Sequence, residues 1–144
     1  MVTRVTADWD VRLMFEPGRV IVGNAGALIS RVVRVKQGAT QPFVIVDAAM
    51  NDLLRPSLYD AWHDIRAIKP SGQKTKASVV GPVCETGDTF ATGREMDKVC
   101  AGDLVGFMTA GAYGATMANT YNSRALTPEG LVSGGKWAGV RERP

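Results

Sequence analysis

The spacing of apolar residues changes character along this chain. Residues 11–15 form a short strand-like run that stops at Glu16-Pro17-Gly18-Arg19. From 20 to 33, Ile21, Ala25, Leu28, Ile29 and Val32 recur at helical spacing, which predicts a helix. Gly23 and Gly26 weaken that helix by about 1 kcal/mol each relative to alanine, so packing must hold it. Strand, Pro-Gly turn and helix make a βα unit. Residues 43–47 are a β-branched run typical of a buried strand, and 51–59 predict a capped short helix or turn. From Asp64 onward the pattern is strand, over 65–68, 77–83, 89–92 and 103–108, with Gly, Pro and Asp at close spacing between runs. That cadence predicts a barrel or sandwich of antiparallel strands. Residues 112–122, small and polar, predict a short helix, and 131–140 predict a hairpin around Gly134-Gly135. The chain therefore opens as a βα unit and becomes a β-domain, joining the end of one domain to most of another.

Composition narrows the class. The chain has 144 residues, 45% hydrophobic and 22% charged, which is ordinary for a folded domain and excludes wholesale disorder. No apolar run approaches the ~20 residues of a membrane helix, and no signal-peptide pattern opens the chain. Seventeen basic against fourteen acidic residues give +3 without a dense basic tract, so neither a nucleic acid nor a membrane is expected as partner. With no secretory signal, Cys84 and Cys100 are expected as reduced thiols in a cytoplasm. Neither end carries a cap or closing element, and both are expected to be cuts.

Several segments carry residues suited to chemistry. Gly81-Pro82-Val83-Cys84-Glu85-Thr86-Gly87-Asp88 sets a thiol beside a carboxylate in a turn after an apolar run. There Cys84 is either an acid or nucleophile, or a small residue filling a strand end. Glu16-Pro17-Gly18-Arg19, between a predicted strand and helix, suits an anion such as phosphate, or is a turn with a surface Arg–Glu pair. Asn51, Asp52, Arg55 and Tyr59 share a turn and one helical face; Arg55 and Tyr59, four apart, can hold a carboxylate or form a solvated face. Ala110-Gly111-Ala112-Tyr113-Gly114 leaves room for a flat ligand beside the ring, or turns a tight corner on a packing tyrosine. His63 has no partner motif and is assigned to structure, Cys100 is expected to pack as a small apolar residue, and no metal spacing occurs.

Together these segments resemble, in order, the C-terminal part of the diaminopimelate decarboxylases, in the alanine-racemase-like group of pyridoxal-phosphate enzymes. The match runs through Glu16-Pro17-Gly18-Arg19, Val22-Gly23-Asn24-Ala25-Gly26 and Met50-Asn51-Asp52-Leu53-Leu54-Arg55-Pro56. It continues through Leu58-Tyr59, Gly81 to Asp88, Ala110 to Gly114 and Tyr121-Asn122-Ser123-Arg124. The resemblance implies that residues 1–32 are the last strand and helix of a (β/α)8 barrel and that 33–144 are a mainly β C-terminal domain, a barrel or sandwich. It implies pyridoxal phosphate as cofactor, with Glu16 at the pyridine nitrogen and Gly18 and Arg19 at the phosphate. Arg19 also faces substrate, and Tyr113 touches both. It gives Arg55 and Tyr59 the distal carboxylate of meso-diaminopimelate, Glu85 its distal amino group, and Cys84 the proton returned after CO2 leaves. Cys84 and Glu85 would act in the partner subunit's site, making the enzyme an obligate homodimer. The cofactor-bearing lysine of the family lies early in the barrel and nothing here matches it, so the chain alone is expected to be inactive. Glu85 after the cysteine, where ornithine-type enzymes carry Asp, favours diaminopimelate. The alternatives are a decarboxylase of polyamine metabolism, acting on carboxynorspermidine or arginine, and a non-catalytic β-barrel binding module.

Overall fold

An inward-facing serine hides the first strand from an apolar count. In the computed structural model, which describes residues 2–142, Ala27–Lys36 is strand β1, and the helix expected over 20–33 is not formed. A single 3₁₀ turn, Gly23–Ala25, stands before the strand instead. Leu28, Ser30 and Val32 face the interior, and the Ser30 hydroxyl donates to Asp47 Oδ1 at 2.6 Å while accepting the Ala48 N–H at 2.9 Å. Ile29, Val32, Val33 and Val35 are β-branched and favour a pleated surface over a helical one. A register shift between Val32 and Arg34 marks a bulge, beyond which Val35 is the half-buried residue.

The remaining strands are β2 (Phe43–Val46), β3 (Ile65–Ala67), β4 (Lys74–Val80), β5 (Thr89–Asp97) and β6 (Leu104–Met108). They form one sheet in the order β3-β6-β1-β2-β4-β5, and its end strands β3 and β5 touch, so the sheet curls almost closed. The expected barrel-like, mainly β architecture is therefore present. Its pairing is not wholly antiparallel: β2 and β4 run parallel, from Phe43 opposite Ser78 to Ile45 opposite Val80. The long crossover between them, which contains β3, makes that parallel return feasible. Val44, Val46, Val79, Val105 and Phe107 fill the interior with almost no exposure, each side chain contributing about 1.5–3 kcal/mol by burial. Phe90 and Phe107 stack with ring centroids 4.5 Å apart.

Other boundaries shift for local reasons. β4 stops at Val80, where Gly81 closes a turn with Asp88, and β5 continues to Asp97 because its second half pairs with the start of β4. Residues 11–15 pair with no strand among the described residues and leave Val11, Met14 and Phe15 exposed. Residues 112–122 hold 3₁₀ turns at Ala115–Met117 and Tyr121–Ser123 rather than a helix, since Asn122 and Ser123 take φ of 59° and 58°. The hairpin forms as expected: β7 (Glu129–Ser133) pairs with β8 (Lys136–Arg141) around Gly134 and Gly135, both at positive φ. A four-residue helix α1 spans Val2–Val5, and α2 spans Arg55–Tyr59. Cys100 does not pack as an apolar residue: its N–H donates to Asp103 Oδ2 at 2.7 Å in a reverse turn that leaves the residue exposed.

His63 is buried, as its structural assignment requires, and its Nδ1–H donates to the Met108 carbonyl at 2.9 Å. That bond fixes Nε2 as the unprotonated nitrogen. Burial lowers its pKa below the ordinary 6.5, the Met108 carbonyl opposes the shift, and Arg55, Arg19 and Arg94 add to it.

Two predictions follow from this packing. A Cβ on Gly26 would lie 2.5 Å from Gly111 Cα and 2.8 Å from its nitrogen, whereas one on Gly106 would make ordinary contacts from 3.5 Å. Gly26→Ala should lower stability by about 1–3 kcal/mol or more in urea unfolding, while Gly106→Ala stays within about 1 kcal/mol. Equal costs would show that the Gly26–Gly111 approach does not constrain the fold. His63, the sole histidine, takes up its proton at lower pH in the fold than the unfolded chain does, which protonates below about 6.5. The unfolded state then binds the extra proton, so this contribution is complete above that pH and is lost as pH falls, at up to about 1.4 kcal/mol per unit. His63→Asn should remove this limb from a urea series between pH 5 and 8; parallel curves for both proteins would refute it.

Candidate active-site face

Arg19 does not sit at a helix N-terminus, so the expected cradle of helical N–H groups is absent. Successive turns, with Ile21 N–H donating to Gly18 O at 3.0 Å and Gly23 N–H to Arg19 O at 2.8 Å, carry the chain from Gly18 to β1. These turns fold Arg19 against the segment after β6, where its Nη2 donates to Thr109 O at 3.2 Å. Gly111 N–H donates to Gly23 O at 3.0 Å and Ala110 N–H to Gly26 O at 2.9 Å, sewing the same segments together. Gly18 comes beside the Tyr113 hydroxyl, 3.6 Å from where its Cβ would stand. Thr109 and Tyr113 both take φ of 61°, a conformation that non-glycine residues hold only where the surroundings impose it. The structure thus brings together Gly18, Arg19 and Tyr113 from distant parts of the chain. Arg19 Nε is buried there without a hydrogen-bond partner. Glu16 is exposed, and no hydrogen bond or ion pair ties it to this corner among the described residues.

Arg55 and Tyr59 share the short helix α2, with the guanidinium 5.9 Å from the centre of the phenol ring. Arg55 Nε is also buried and unpartnered, whereas Tyr59 is exposed. Arg55 and Arg19 both lower the pKa of the buried His63, after the larger effect of its burial. Asn51 and Asp52 are not on the face expected of them. Both are buried supports: Asp52 Oδ2 accepts the Ala49 N–H at 2.8 Å and Arg124 at 3.4 Å, and Asn51 Nδ2 donates to Asn119 O at 3.0 Å.

Cys84 and Glu85 are exposed on the loop after β4, and Asp88 shapes that loop. Its buried carboxylate accepts the Val83 N–H and the Met50 N–H, each at 2.7 Å. Burial raises its pKa above the ordinary value against the pull of these two bonds and of Arg124. A Cβ at Gly81 would collide with that carboxylate. Gly87 packs toward Ser57 of α2, which links the loop to the Arg55 helix. No hydrogen bond joins Cys84 or Glu85 to Arg19, Arg55, Tyr59 or Tyr113 among the described residues; Glu85 Oε2 instead accepts the Tyr121 hydroxyl at 3.1 Å. The shaping roles of Asp88 and Arg124 escape sequence reading, although Asp88 sits in the quoted motif: an aspartate in a Gly-bounded turn signals a loop but not its distant partner.

A cleft of about 790 Å³ lies between β1 and the β7–β8 hairpin; Asp52 and Arg124 line it, and Gly18, Arg19, Arg55, Tyr59, Cys84, Glu85 and Tyr113 do not. Among the described residues, no group of His, Cys, Asp and Glu is placed to hold a metal, and no helix is long and apolar enough to cross a membrane.

Residues 6–111 match the family model described as the pyridoxal-dependent decarboxylase, C-terminal sheet domain. The diaminopimelate decarboxylase of Zymomonas mobilis is 58% identical over 143 residues, covering 99% of this chain and 34% of that protein. The structure of diaminopimelate decarboxylase from Helicobacter pylori complexed with L-lysine superposes with a TM-score of 0.85 at 42% identity, covering 99% of this chain and 35% of that one. A lysine/ornithine decarboxylase of Vibrio vulnificus complexed with cadaverine is more distant, with a TM-score of 0.70 at 25% identity over 85% of this chain and 34% of its own. The chain spans about a third of the length of the curated relatives it matches. With a family model across most of its length and a sheet that superposes on solved members, this chain belongs to the C-terminal sheet domains of the pyridoxal-dependent decarboxylases.

Proposed function

We propose that this chain is the sheet-domain part of a longer, cytoplasmic decarboxylase that converts meso-2,6-diaminopimelate to L-lysine and CO2, working as a homodimer. The observation that carries the reading is the Arg19–Tyr113 corner beside Arg55. Gly18, Arg19 and Tyr113 meet there, and two buried guanidinium nitrogens, Arg19 Nε and Arg55 Nε, have no acceptor among the described residues. A donor-rich corner of this kind fits a phosphate and a carboxylate.

Residues 11–26 are read as the end of a (β/α)8 barrel, with the junction before Ala27, where β1 begins, rather than at 32/33. Gly18, Arg19 and Tyr113 would hold the cofactor phosphate side and Glu16 its pyridine nitrogen. Pyridoxal phosphate, on a lysine outside this chain, supplies the electron sink for the pair left when the C–C bond breaks. Arg55 and Tyr59 bind the distal carboxylate, and Glu85 the distal ammonium. The Cys84 S–H bond breaks as a new C–H bond forms at the carbon that lost CO2, and solvent returns a proton to the thiolate. His63, neutral behind the arginines, adds no positive charge to compete with theirs. Cys84 and Glu85 act across the dimer; their lack of bonds to the Arg19 and Arg55 corners of the same copy is consistent with that division.

Ornithine has no distal carboxylate, so Arg55 would have nothing to bind there. The higher identity to diaminopimelate decarboxylases than to the lysine/ornithine enzyme points the same way.

Assayed as the whole protein with pyridoxal phosphate, it should release CO2 and L-lysine in equal amounts from meso-diaminopimelate, and none from ornithine, arginine or carboxynorspermidine. Absence of lysine with turnover of another substrate would reassign it. Cys84→Ala in the same protein should lose about 10²–10⁴-fold in turnover while the absorbance of the bound cofactor is kept. Undiminished turnover would remove Cys84 from the proton-donor role.

A further inference from the structure

The segment Tyr121-Asn122-Ser123-Arg124 holds a side chain against Glu85. The Tyr121 hydroxyl donates to Glu85 Oε2 at 3.1 Å across 36 residues of sequence. Tyr121 and Glu85 are both exposed, and a hydrogen bond in water adds little to folding. The backbone under Tyr121 is nonetheless tightly fixed. Asn119 N–H donates to Asn51 O and Asn51 Nδ2 to Asn119 O, both at 3.0 Å, and Tyr121 N–H donates to Asn119 Oδ1 at 3.0 Å. Arg124 closes the other end on Asp47 O at 2.7 Å and Asp52 Oδ2 at 3.4 Å. Asn122 and Ser123 are both held in the left-handed region, which side chains other than glycine rarely occupy. The same Asn51 turn is pinned to the Cys84 loop through Met50 and Asp88, so phenol and carboxylate are mounted on one support. The Glu85 bond raises the Tyr121 pKa above its ordinary 10, so the phenol remains a donor at neutral pH.

From this geometry we infer that Tyr121 is a positioning residue for Glu85: its hydroxyl occupies one carboxylate oxygen and leaves the other directed at the distal ammonium of the substrate. The inference rests on the proposed ammonium-binding role of Glu85. Removing the hydroxyl frees the carboxylate to rotate away from the substrate's ammonium. The same bond sets Tyr121 apart from a residue that only packs, because its effect must pass through Glu85.

The test uses the whole dimeric enzyme. Tyr121→Phe should raise KM for meso-diaminopimelate about tenfold, the effect of one hydrogen bond to a charged group, with kcat within about twofold. In a Glu85→Gln background the same substitution should change KM less than about twofold. If Glu85→Gln alone leaves KM unchanged, the ammonium-binding reading of Glu85 fails and the inference falls with it. If Glu85→Gln raises KM but Tyr121→Phe does not, or acts equally in both backgrounds, the positioning role is overturned while Glu85 keeps its own. Loss of the fold or of cofactor absorbance in Tyr121→Phe would assign the bond to stability instead.

Discussion

The buried carboxylate of Asp88 ties together the two loops that leave the paired strands β2 and β4, beyond the end of their ladder. Met50 lies beyond β2 and Val83 beyond β4, and each gives its backbone N–H to one oxygen of that carboxylate. A charged acceptor between two backbone donors is a strong, directional tie, and burial makes its loss costly. Desolvation opposes the charge, as the raised pKa records, yet the two N–H groups would be left unsatisfied without it. Gly81 is part of the same device, because any larger residue would occupy the space that the carboxylate fills. What depends on this tie is the placement of Cys84 and Glu85 relative to α2, which carries Arg55 and Tyr59.

The same device recurs where other strands end. Asp47, just after β2, accepts from Ser30 and from the Arg31 N–H, and Asp52 accepts from Ala49 and Arg124. The valines and phenylalanines of the barrel supply most of the free energy of folding, but apolar burial is non-directional and leaves loop geometry open. Carboxylates at strand exits close that freedom. The result is a division of labour: buried acids and amides such as Asn51 hold the platform, and exposed or half-exposed residues on it, Arg19, Arg55, Cys84, Glu85 and Tyr121, are free to meet a ligand.

How much of this could be read from the sequence depends on how local each cause is. The β7–β8 hairpin was legible because Gly134-Gly135 carries its own turn geometry. The β2–β4 parallel pairing was not, because local patterning does not name a strand's neighbour. β1 was misread as helix because its inward positions include Ser30, whose partners Asp47 and Ala48 lie on another segment. With β1 a strand, no helix N-terminus stands behind Arg19, yet Gly18 still comes beside Tyr113 and Arg19 bonds Thr109, bringing near one another residues that the family resemblance assigns to one cofactor. Asp88 stood in plain view beside Cys84, but its role became visible only with Met50 in place.

The charge distribution completes the physical picture. Arg19, Arg55 and Arg94 all bear on His63, and like charges gathered around a buried ring oppose folding unless something compensates them. Arg94 finds the His63 carbonyl and the Trp62 ring, 4.9 Å from its guanidinium carbon. Arg19 reaches Thr109 with one nitrogen and Arg55 lies over Tyr59, but the Nε of each is buried without an acceptor. Buried donors left unsatisfied among the described residues cost free energy, a cost that the anionic ligand proposed for this face would recover. Burial is the main force holding the His63 pKa down, and the three arginines add to it, while the Nδ1–H bond to the Met108 carbonyl pulls the other way. The proposed binding of a phosphate and a carboxylate on this face rests on those two leftover donors.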